Sequence, residues 1–122
     1  MTKDEITALV RGFLEKTRRN EVAWTQSSAA GLGDFWTALY PDHIVLQLPK
    51  SLVMVRRERL SKRGITISLS NDERKPVVEY TAADDDPLYA MLTEMLDLAL
   101  ERIRKVDQTI HDVQDFLKKK PG

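Results

Sequence analysis

The chain has 122 residues, 42% of them apolar and 31% charged, and no cysteine. Those totals fit one domain with a core of its own, and they exclude disulfide staples, thiolate metal sites and a cysteine nucleophile. The 19 basic and 19 acidic residues balance to zero, which argues against a protein held on nucleic acid by overall charge.

The balance is global, not local. Residues 50–63 carry six basic side chains and one acidic, whereas residues 84–101 carry six acidic and no basic. At the start, Asp4 and Glu5 stand where a secretory signal would place its apolar run, and no stretch approaches a membrane span. The expectation is a cytoplasmic protein with no membrane contact.

Residues 2–19 predict a helix. Ile6, Leu9, Val10, Phe13, Leu14 and Thr17 recur at spacings of three and four, and Thr2 and Glu5 have the spacing of a capping box. Arg18 and Arg19 suit its carbonyl end, and Asn20 stands where a left-handed residue often closes a helix.

Short strands are expected next: 21–26, then 34–40 after a loop at 27–33, then 43–48. In the last of these, Ile44, Leu46 and Leu48 alternate with His43, Val45 and Gln47. Pro49 interrupts, because proline has no N–H to give. The stretch 51–59 reads as strand or loop. Residues 65–70 alternate cleanly, 71–75 form a polar turn, and 76–81 make a last strand. Strands in sequence joined by short turns give an antiparallel meander.

A long helix closes the chain. Asp86 suits the N-cap and Pro87 the first helical position, and no further Gly or Pro occurs before Pro121. Leu92, Leu96, Ala99, Ile103, Val106, Ile110, Val113 and Leu117 follow spacings of four and three in alternation, a heptad seam. From 88 to 103 the helix is apolar nearly all round; from 104 to 117 only the seam and Phe116 are apolar. At about 1.5 Å per residue the helix is longer than a compact body of this size is wide. Three outcomes are open: cover by the first helix and the sheet, a break, or a second chain on Val106, Ile110, Val113 and Leu117.

Motifs for chemistry are lacking. His43 and His111 have no partner at metal-ligand spacing and read as surface or half-buried side chains. The run 83–87 reads as a helix cap with favourable charges, not as a calcium loop. The glycines of 31–35 lack the third member and the helix of a dinucleotide loop, and Ser27 and Ser28 sit in no nucleophile elbow. Trp24 and Trp36 read as core residues at the edge of a small domain, with ligand stacking as the alternative.

The stretch 55–64 holds Arg56, Arg57, Arg59, Lys62 and Arg63 against Glu58 alone. Three readings apply: phosphate contacts, a strand edge kept soluble by charge, and pairing with the acidic 84–101 face. Interleaved aromatics for base stacking and a nucleic-acid fold signature are missing.

Residues 13–26, with Leu14-Glu15-Lys16-Thr17 and Trp24, and residues 88–117, with Leu88-Tyr89, Ala99 and Val106-Asp107, resemble a loose family of small uncharacterised bacterial proteins. The resemblance covers the two ends of the chain. It implies a helix, a tryptophan-bearing meander and a long terminal helix, and no catalytic residue.

The reading is a single α+β domain over 1–122: an N-terminal helix, an antiparallel β-meander of four to six strands, and a long C-terminal helix packed on one sheet face. The expected function is a protein-interaction or self-association module without catalytic activity, cofactor or metal. Its partner is itself or another protein, and no small-molecule substrate is evident. The alternative is a nucleic-acid-associated regulator that uses 56–63.

Overall fold

The computed structural model describes residues 1–26, 39–58 and 64–119. The predicted loop at 27–33 with its glycines and serines, Trp36, and Arg59, Lys62 and Arg63 lie outside them.

Helix α1 spans Lys3–Arg18, and the Thr2 hydroxyl accepts the Glu5 N–H at 3.2 Å, as the capping spacing predicts. Its far end closes as a Schellman turn. Asn20 adopts φ 56°, and the N–H groups of Glu21 and Asn20 donate to the carbonyls of Lys16 and Thr17. An asparagine tolerates that left-handed conformation better than any residue but glycine.

Four antiparallel strands follow in the order β1 (His43–Leu48), β2 (Ser51–Glu58), β3 (Gly64–Asn71) and β4 (Pro76–Ala83). The meander therefore has the low end of the expected strand number. Residues 51–58 are strand: Pro49 and Lys50 form the turn, and Leu48 faces Ser51. Proline ends the ladder here without breaking the sheet, because it sits in the connection.

Two expected strands differ. Over 21–26 only Thr25 pairs, exchanging both backbone bonds with Val45 at 2.8 Å. The chain has just left the left-handed turn, and the Trp24 indole is drawn back to α1, so among the described residues no ladder extends from that bridge. Of 34–40, Leu39 and Tyr40 are described and neither is in a strand.

Helix α2 spans Pro87–Lys118 without a break. It packs with α1 on one sheet face, over Ile44, Leu46, Val53, Val55, Ile65, Ile67 and Ala82. Helix α1 covers the first half of α2: Ile6, Val10 and Leu14 meet Leu88, Leu92, Met95, Leu96 and Ala99 in one core. The other sheet face buries apolar and polar side chains together: Val45 and Leu52 lie on it. His43 and Thr66 are almost fully enclosed there. The expected surface or half-buried setting of His43 is thus corrected: it starts a strand whose neighbours enclose it, and its Nδ1 lies 2.6 Å from the Tyr40 carbonyl.

Asp86 joins three elements. It caps α2 by accepting the Leu88 N–H at 2.9 Å, accepts the Tyr80 hydroxyl from β4, and faces Lys3 of α1 at 3.5 Å. The Tyr80 hydroxyl, with the Leu88 amide behind it, holds the Asp86 carboxyl below its ordinary range. A depressed carboxylate stabilises the fold above its unfolded value of about 3.9 and stops doing so as pH falls through its folded value. Asp86→Ala should cost about 1–2 kcal/mol at neutral pH. Chemical denaturation at pH 7 and again below pH 3 checks this: the gap between parent and variant should shrink in acid.

Candidate functional site

At α2 the fold leaves something uncovered. Helix α1 ends beside Arg102, where the guanidinium donates to the Thr17 carbonyl and, at 3.4 Å, to that of Arg18. The Thr17 hydroxyl donates to the Phe13 carbonyl at 2.7 Å and accepts the Trp24 indole N–H at 2.9 Å. Phe13 stands edge-on to Trp24, with ring centres 6.2 Å apart. Trp24 is a core residue, and its indole helps fix the place where the covering layer stops.

Beyond that place the seam is bare. Val106 is 58% exposed, Ile110 51%, Val113 52% and Leu117 73%. Phe116, beside the seam, is 73% exposed. Of the three outcomes open to the helix, the break is removed, and cover at home reaches only as far as Ile103, which is half-buried against the core. Apolar side chains in line at this spacing form one exposed stripe along the helix.

The other side of the projecting segment holds itself together locally. Lys105 pairs with Glu101 at 3.1 Å, Gln108 bonds Asp112 at 2.9 Å, and His111 faces Asp115 at 3.4 Å. Each such contact contributes about 0.2–0.5 kcal/mol.

Near its base the stripe runs into a groove of about 450 Å³. Val22, Trp24, Ala99, Arg102, Ile103 and Val106 line it. The sequence reading missed this groove. Its one signal was Ala99, a small residue in a seam of large ones.

The basic stretch behaves differently. Arg56 donates to Glu58 at 3.2 Å and to Glu79 at 3.1 Å, and lies 5.2 Å from the centre of the Tyr40 ring. Thr66 donates to the same Glu58 oxygen at 3.1 Å. Arg57 donates to Asp42 at 3.2 Å and to Asp97 of α2 at 2.9 Å. So Arg57 reaches the acidic 84–101 face within the chain, one of the three readings of this stretch. Both arginines hold carboxylates. Among the described residues no cluster of His, Cys, Asp or Glu could hold a metal ion, and no helix is long and apolar enough to cross a membrane.

No protein-family model, curated protein or solved structure matches the chain.

The two halves of α2 should differ in dynamics. In dilute solution, amides of 106–117 should exchange with solvent at least about a hundredfold faster than those of 92–100, because only the latter are held by tertiary packing. Hydrogen exchange with peptide resolution checks this.

Proposed function

We propose that the protein is a small cytoplasmic interaction module without catalytic activity, and that it self-associates through the bare half of α2. One observation carries this reading: Val106, Ile110, Val113 and Leu117 stand exposed on one line of a continuous helix. The spacing is that of a helix that packs knobs into holes against a like helix. A second copy supplies such a helix without any further partner. Zero net charge leaves little repulsion to oppose it. Each of these side chains, once fully covered, contributes about 1.5–3 kcal/mol, enough in sum for a dimer at micromolar concentration after the cost of association.

Light scattering behind a sizing column checks the reading. The parent should run as a dimer at tens of micromolar. Ile110→Asp should run as a monomer with an unchanged melting temperature in dilute solution, since Ile110 contributes nothing to the core. A parent that stays monomeric up to millimolar concentration would sink the proposal.

A further inference from the structure

Among the described residues nothing is seen to use the groove at the base of the stripe or the exposed aromatic ring at its tip. Resting on the self-association reading above, we infer that two copies pair antiparallel, and that the groove of each receives Phe116 and Leu117 of the other.

The seam sets the register. With Val106 opposite Ile110 of the second copy, Ile103 falls opposite Val113 and Ala99 opposite Leu117. Each large tip residue thus comes to the level of the groove, whose floor is the buried Ala99. Ala99 is the smallest member of the seam, and Leu117 is one of the most exposed. Phe116 then comes to the Arg102 side of the groove, against Val22 and Trp24. There the guanidinium, already held on the carbonyls of Thr17 and Arg18, presents a cation to the ring.

Charge and shape oppose the parallel alternative. Parallel pairing would set the basic tips, Lys118 and Lys119, against each other. Antiparallel pairing keeps the tips apart and brings each to the level of the other copy's acidic segment 84–101, where Asp97 and Glu101 already hold Arg57 and Lys105. Parallel pairing would also place two bodies side by side at the same height, each wider than its α2 because α1 and the sheet flank it. Antiparallel pairing puts them at opposite ends. A parallel pair would match Arg102 with Asp107 of the other chain across the seam, but Arg102 is committed to the end of α1. The antiparallel pair sets Asp107 opposite its own copy, a repulsion that limits its affinity.

The absence of cysteine makes the test direct. A nitroxide on Lys119→Cys, exposed at the end of α2, reports the distance between the two tips by pulsed electron resonance. Antiparallel pairing puts them about 33 Å apart along the axis, at about 1.5 Å per residue from a centre at residue 108. Parallel pairing puts them within about 20 Å, because packed helices lie about 8–10 Å apart. Phe116→Ala should raise the dimer dissociation constant at least about tenfold without changing the fold, and Asp107→Asn should lower it several-fold. A dimer with a short tip distance, or one weakened by Asp107→Asn, would overturn the antiparallel pairing and leave self-association standing. A labelled chain and a parent that are both monomeric at every concentration would remove self-association itself, and this pairing with it.

Discussion

The bonds around Thr17 fix how far the body of this protein extends along its longest helix. Thr17 gives its hydroxyl proton to the Phe13 carbonyl, accepts the Trp24 indole, and offers its own carbonyl to Arg102. Asn20 then turns the chain away in a left-handed conformation. Covering helix, turning chain and covered helix are tied at one level, so α1 cannot slide along α2 to shade more of the seam. The Arg18–Glu94 pair adds a second tie on the surface, with Nη2 to Oε1 at 2.8 Å. Being exposed, it serves register more than stability. At the opposite end Asp86 does the corresponding work, joining β4, α1 and the start of α2.

Between those ties, the two faces of the sheet do different work. The helix-covered face is aliphatic and gives the hydrophobic stabilisation. The other face mixes the buried Val45 and Leu52 with a polar network: Thr66 shares a 2.7 Å bond with Thr81 and reaches Glu58, and Glu58 in turn receives Arg56. A buried network of this kind costs desolvation that its bonds offset, and it fixes geometry more than it adds stability. The basic run 55–64 looks like a surface patch in one dimension. In three, at least its first two arginines are structural cations. Sequence spacing cannot show this, because Glu79, Asp42 and Asp97 lie 23, 15 and 40 residues away.

Much of the fold was legible because local signals agreed with tertiary ones. The cap at Thr2, the left-handed Asn20, the alternation of 43–48 and of 65–70, and the Asp86-Pro87 start of α2 all carry their reasons within a few residues. The single bridge at Thr25 was not legible, since β-branched and aromatic content in 21–26 says nothing of the pull exerted by Thr17 on Trp24. Nor was the burial of His43, which depends on what lies against the second sheet face. The division of α2 near residue 103 was legible in its polarity. Which half of the seam is bare followed only once the length of α1 and its point of attachment were known. The groove had one signal, Ala99, which alone could not place it: it arises where the segment after the left-handed turn, 20–26, meets a small residue of α2.

That division has an energetic consequence. Residues 104–118 amount to about four turns, a length at which an isolated helix is marginal in water. Local pairs on the polar side, and continuity with the packed half, support it in a monomer; the apolar seam adds nothing there, and with Phe116 beside it exposes five large side chains to solvent. A chain shaped only by the stability of its own body could end the helix near Arg104 and lose no core contact. The seam becomes favourable only when another surface covers it, so ordering of the projecting helix and association are coupled. In the self-association proposed above, part of the gross contact energy would go into ordering the last turns, which would lower affinity and keep the pairing responsive to concentration.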